Sequence, residues 1–159
     1  MPLAHLLGHG ESALATVGGI RPAVRPNNVA IVGLRDADDA EREHIAKWKL
    51  RALTMRAIDE RGVRSVMEEA IGVASDGTTV IWVSFDLDCL EPETAPGVGT
   101  SVPGGMTYRE AHLAMEMLAD TGRVIGIDLV EVNPVLDEHN RTAGIGTDLL
   151  LSALGKRIV

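Results

Sequence analysis

A single cysteine, Cys89, stands in 159 residues. No internal disulfide framework can form, so a reducing, cytoplasmic setting is expected. Aromatic residues make up only 3%, which removes the stacking platforms that single-stranded nucleic acids use. Positive charge is outweighed, with 15 Lys and Arg against 23 Asp and Glu and a net charge of -8. That is the wrong sign for a phosphate backbone. No apolar run approaches the ~20 residues of a membrane span. The start, MPLAHLLGHGESA, has neither the basic region nor the long apolar region of a secretory signal. Neither nucleic acid nor membrane is therefore expected as a partner. Repeats, low-complexity stretches and linkers are missing too, so residues 1–159 are expected to form one domain. The hydrophobic share of 45% is ordinary for a globular protein, and a chain of this length can bury a core.

What the sequence does contain is an alternation of strands and helices. NNVAIVGL is a short β-branched run opened by turn residues, and TVIWVSF and RVIGIDLVEV are continuous apolar runs of strand length. ALTM is a further short strand. Between them, DADDAEREHIAKWKL has acids in its first turn, VRSVMEEAIGVAS has helical apolar spacing, and YREAHLAMEMLADTG follows Thr107 as N-cap, with Glu110 completing a capping box. HNRTAGIGTDLLLSALGKR reads as a last helix, weakened near its start by two glycines. Strands apolar on both faces that alternate with helices predict an α/β fold, a parallel sheet with helices on both faces.

The chemistry concentrates in SFDLDCLEPETAPGVGTSVPGG, Ser84 to Gly105. Asp86 and Asp88 lie at the carboxyl end of TVIWVSF, where open parallel sheets bind their ligands. Read as strand residues two apart, they project to one side. Two carboxylates held that close repel, and one is pushed toward protonation unless a cation sits between them. Oxygen ligands suit a hard ion such as Mg, Mn or Ca. A D-x-D pair can also be two solvated loop aspartates. A phosphatase with an aspartate nucleophile also begins at such a strand end, but it wants Thr or Val where Leu90 stands. A nucleotide-sugar transferase would need a glycine-rich nucleotide turn that is missing.

Glu131 ends the strand RVIGIDLVEV and faces the same crevice in this reading. A fixed carboxylate there suits a guanidinium in a bidentate pair, or else a salt bridge at a sheet edge. Asp38 and Glu41 follow AIVGL near the same edge, where an N-cap and first-turn acids account for them equally.

SFDLDCLEPETAPGVGTSVPGGMTYREAHLAMEMLADTG, then DLVEVNPVLDEHNRTA, with GLRDADDAE upstream, resembles the ureohydrolases and, within them, the arginases. EVNP and the AHLAMEML helix lean toward arginases rather than agmatinases. The resemblance covers essentially the whole chain and implies an arginase-like three-layer α/β fold. It further implies a homo-oligomeric hydrolase in which two Mn2+ ions activate a hydroxide that attacks the guanidinium carbon of arginine, giving ornithine and urea. On this resemblance Asp86 and Asp88 are metal ligands, Glu131 pairs with the substrate guanidinium, Thr100 lies in the loop over it, and Asp38 and Glu41 meet the α-amino end. An agmatinase-type or other guanidino hydrolase is the alternative.

The family pattern also sets expectations where this sequence departs from it. Glu91 stands before Pro92 where the family has Asp, and one added methylene is expected to loosen the ligand geometry. The GGDH and D-A-H-x-D segments, and the loop ending in the His-Gly that directly precedes MPLA in the family, which supply further ligands and a proton-transfer histidine, are not in the sequence. The chain is therefore expected to be an N-terminally truncated, carboxyl-terminal part of the fold with part of the metal site, and a catalytically silent fragment serving only subunit association is the competing reading. His5 and His9, four apart, could share a helix face, although Gly8 and Gly10 oppose that helix. Trp48 and Trp82 are expected in the core or under helices. Cys89 is expected to be an inert packed thiol.

Overall fold

The computed structural model describes residues 2–157. Two short helices open it, α1 (Pro2–Leu6) and α2 (Ser12–Ala15). Then come β1 (Ala30–Leu34), α3 (Asp39–Trp48), β2 (Arg51–Thr54), α4 (Met55–Ala74), β3 (Ile81–Asp86), α5 (Tyr108–Asp120), β4 (Val124–Val130) and α6 (Arg141–Ala153). The capping chemistry read from the sequence is in place. Asp38 and Glu41 form a capping box on α3, and Thr107 and Glu110 form one on α5. The helical pattern from Val63 is the second part of α4, which breaks at Gly62 (φ 75, ψ 152). A backbone conformation that only glycine adopts easily separates the two segments.

All strand pairs are parallel, as the alternation predicts, but they do not form one sheet. β1 pairs with β2 and β3 with β4, and no ladder joins the two sets among the described residues. A common apolar core unites them instead. α4 packs on β1, β2 and α5, and α5 packs on α6. Leu53, Ile58, Val66, Met115 and Leu149 are fully buried within it. Leu87 and Leu90, which flank Asp88, are 0% and 2% exposed. The apolar residues of D-L-D-C-L therefore root the aspartates in the core. Gly146 lets α6 come this close, since a Cβ there would lie 2.8 Å from Leu129 and 3.2 Å from Leu87. One of the two glycines that weaken α6 as an isolated helix thus serves its packing.

One side of the β3–β4 ladder is open. Trp82, expected in the core, is 64% exposed. Its indole crosses Gly126, where any Cβ would collide with the ring, and its Nε1–H donates to Asp128 Oδ2 at 2.7 Å. The short Ser84 hydroxyl also donates to Asp128. A strand that is apolar on both faces gives no sign of which face a helix covers. At the other end of the fold, Trp48 stacks between His9 (4.3 Å) and His44 (4.7 Å). His9 lies beyond the end of α1, with positive φ at Gly8 and Gly10, so His5 and His9 do not share a helix face.

His112 on α5 is buried, with Nδ1 2.8 Å from Ser152 Oγ of α6. Its Nε2 is enclosed without a hydrogen-bond partner. Burial, then Arg109 nearby, holds this imidazole below its ordinary value of 6.5. The unfolded chain takes up a proton that the folded chain refuses, so His112 makes stability fall as pH drops below 6.5. Denaturant titrations from about pH 7 to 5 are predicted to show this loss, and His112→Asn to remove its share. An unchanged pH slope in the variant would exclude His112 as a source.

Candidate metal and substrate site

β3 delivers Asp86 at its carboxyl end, and the chain then turns at once. Leu87–Cys89 is a 3-10 turn capped by Asp86, whose Oδ1 accepts the Asp88 N–H at 3.0 Å. The two carboxyls are therefore brought together by a side chain capping its own backbone turn, not by strand alternation. Thr100 Oγ1–H donates to Asp88 Oδ2 at 3.2 Å, so the loop folds back on the pair. Glu131, just past β4, adopts φ 68, and Gly99 leaves space beside its carboxylate, since a Cβ there would be 3.7 Å from Glu131 Oε2.

These three carboxyl groups lack a cationic side chain. None of the ion pairs among the described residues involves Asp86, Asp88 or Glu131. Burial above all, joined by the charges of Asp88 and Glu131 and opposed by the bond from the Asp88 amide, raises the Asp86 carboxyl to about 6. A group of oxygen donors short of positive charge is the donor set that a hard divalent ion fits. Yet no three His, Cys, Asp or Glu side chains converge on one cation position among the described residues. Asp86 and Asp88 fit a cation as part of a coordination shell.

The loop around them is tightly held. Glu91 Oε2 accepts the N–H groups of Gly104 (2.9 Å) and Gly105 (2.8 Å), while the Glu91 amide donates to the Met106 carbonyl. The longer Glu91 side chain is thus used to close the loop. Gly97 is a second fixed point. Its N–H donates to the buried Thr142 hydroxyl at 2.8 Å, and its carbonyl accepts from Asn133 at 2.8 Å. A Cβ on Gly97 would lie 2.5 Å from that of Asp137, so the loop touches the start of α6 directly. Asp137 accepts the Thr142 and Ala143 amides there; against the upward push of burial, these bonds hold its carboxyl below the usual range.

The remaining sequence candidates are placed as follows. Asp38 and Glu41 are engaged in the α3 capping box, at 2.8 and 3.1 Å, and no hydrogen bond joins them to the Asp86 group. Cys89 is partly buried beside the aspartates, and burial, with Asp86 adding to it, pushes its thiol up to about 12. It is an inert thiol at neutral pH. Arg35 escaped notice in the sequence. It reaches from the end of β1 to carbonyls of this loop, and only its place between AIVGL and DADDAE could have flagged it.

The chain matches the Arginase family over residues 7–155. It is 44% identical to the arginase of Bacillus caldovelox over 159 residues, which is 100% of this chain and 53% of that protein. The crystal structure of the Bacillus caldovelox arginase superposes with a TM-score of 0.96 at 44% identity, covering 100% of this chain and 53% of the other. An Entamoeba histolytica arginase in complex with L-ornithine gives a TM-score of 0.89 at 28% identity over 98% of this chain and 52% of the other. The fold, parallel strands packed by helices, is the α/β fold of these arginases. More particularly, this chain belongs to the arginase family, and it spans about half the length of the curated relatives it matches.

The loop geometry makes a direct prediction. Glu91→Ala leaves the Gly104 and Gly105 amides without their acceptor, so their hydrogen exchange is expected to accelerate while α4 keeps its protection. Equal exchange in both chains would show that Glu91 does not hold the loop.

Proposed function

We propose that this chain serves the hydrolysis of L-arginine to L-ornithine and urea, with Mn2+ as the metal. The observation that carries the reading is the group Asp86, Asp88 and Glu131, in no ion pair among the described residues and with the Asp86 carboxyl raised to about 6, in a chain of the arginase family. L-ornithine in the related Entamoeba protein agrees with that product.

Asp86 and Asp88 would hold the metal, presenting carboxylates that the 3-10 turn has already brought together. The bound metal would supply Lewis acidity that makes a water nucleophilic near neutral pH. Glu131 accepts the guanidinium through two parallel N–H bonds and orients its carbon. Thr100 holds Asp88 and closes the loop on the substrate side. Asp38 and Glu41, fixed at the start of α3, attract the α-ammonium group. The acidic chain as a whole has the sign that draws in a cationic substrate. We also assign it a cytoplasmic setting and self-association.

A second reading has its own support. Because no three donors converge among the described residues, the chain alone would turn over little substrate and act through association. Urea release from arginine with added Mn2+ separates the two readings. Turnover that is abolished by Asp88→Asn and by Glu131→Gln supports the hydrolase reading for this polypeptide. Absence of turnover, with only a small Mn2+-induced rise in melting temperature, supports the silent reading. A large rise without turnover would contradict both, because it requires a full cation shell without the chemistry.

A further inference from the structure

Arg35 is the feature that the proposed function does not yet use. It stands just past β1, two residues after a bulge at Gly33, where φ is +81 and the register with β2 shifts. Bulges at strand ends re-aim the side chains that follow them. Here the half-buried guanidinium crosses from one two-stranded ladder to the loop of the other. Nη2 donates to the Asp88 carbonyl at 2.5 Å and to the Val102 carbonyl at 2.7 Å, and Nε donates to Val102 at 3.0 Å.

Those two carbonyls lie at opposite ends of the loop. Asp88 carries one carboxylate of the pair, and Val102 follows Thr100, whose hydroxyl bonds that same carboxylate. One planar cation thus ties both ends of the segment that frames the aspartates. Backbone carbonyls are its partners, so no carboxylate of the pair is neutralised by it and both stay free for a cation. Glu91 holds the base of the loop from the other direction, through Gly104 and Gly105. Without Arg35, the only side-chain hydrogen bonds left on the Asp88 turn would be the Asp86 cap and the Thr100 bond, beside the turn's own backbone bonds and its buried leucines.

We propose that Arg35 is a positioning residue, a clamp between the end of β1 and the residue 88–102 loop that presets Asp88 for a divalent cation. The inference rests on the reading of Asp86 and Asp88 as metal ligands. Charge-assisted bonds to two carbonyls need the guanidinium fork, which a lysine ammonium cannot reproduce while keeping the same charge. Lysine therefore separates geometry from charge.

The test compares the full chain with Arg35→Lys, Arg35→Met and a control, Arg56→Met, whose arginine pairs only with exposed Glu60. Two readouts are taken. The first is hydrogen exchange of the Asp88, Ser101 and Val102 amides in the metal-free chain. The second is Mn2+ affinity by calorimetry. Exchange is expected to accelerate at these amides in both Arg35 variants and not in the control, while α5 stays protected. Mn2+ affinity is expected to fall roughly 10–100-fold in Arg35→Met, with Arg35→Lys recovering only part of it. Unchanged exchange at Asp88 overturns the clamp, whatever the metal does. Accelerated exchange with unchanged Mn2+ affinity overturns its bearing on the cation. If the unaltered chain itself binds no Mn2+, the metal reading fails and with it the purpose of the clamp, a result distinct from either of the others. Global loss of protection in Arg35→Met but not in Arg35→Lys leaves the lysine variant to decide by the same two readouts.

Discussion

Unbalanced negative charge at the carboxyl end of β3 is the constraint on which the rest of this structure turns. Asp86 and Asp88 are drawn together by a turn that the Asp86 side chain itself caps, and Glu131 adds a third negative group. Folding alone would not keep such a cluster, since like charges held in a half-buried place oppose one another. What keeps it is the apolar anchoring around it. Leu87 and Leu90 are buried in the core that α4, α5, α6 and both ladders share. The aspartates stay where the leucines put them, and the charge conflict is left for a cation to resolve.

The loop that follows shows how a glycine- and proline-rich segment becomes rigid without secondary structure. Glu91 satisfies two amides at its far end, Gly97 is bonded on both sides of its peptide plane, and Arg35 binds two of its carbonyls. Buried backbone polar groups must find partners, and here the Arg35 and Thr142 side chains from elsewhere in the chain, with Glu91 of the loop itself, provide them. The same contacts carry the position of the loop to β1 and to the start of α6. A displacement at either place would reach Asp88 through at most two hydrogen bonds.

Much of this was legible in the sequence, because the signals are local. A buried apolar run followed by D-x-D placed the charge conflict, and the Thr107–Glu110 capping box fixed the start of α5 to the residue. The motif resemblance named the family before any geometry. What the sequence did not give up depends on distance along the chain. Arg35 lies 53 positions from Asp88 and 67 from Val102, and nothing local marks it as their partner. Glu91 looked like a disturbed family position because the N–H groups it accepts from, those of Gly104 and Gly105, lie beyond the proline-rich segment. Trp82 looked buried because strand periodicity cannot tell a covered face from an open one, and the separation of the two ladders is equally invisible to local pattern. The capping role of Asp38 and Glu41 was visible, and the structure gives their carboxylates that work.

The central claim is that Asp86 belongs to a carboxylate cluster whose charge conflict a divalent cation resolves. The most direct measurement is a carbon-13 titration of the Asp86 side-chain carboxyl in the metal-free chain, repeated with a diamagnetic divalent ion such as Mg2+. A midpoint at about 6 without the ion is predicted, moving below the ordinary value of 3.8 when the ion is added. A metal-free midpoint already at 3.8, unmoved by the ion, would contradict the account.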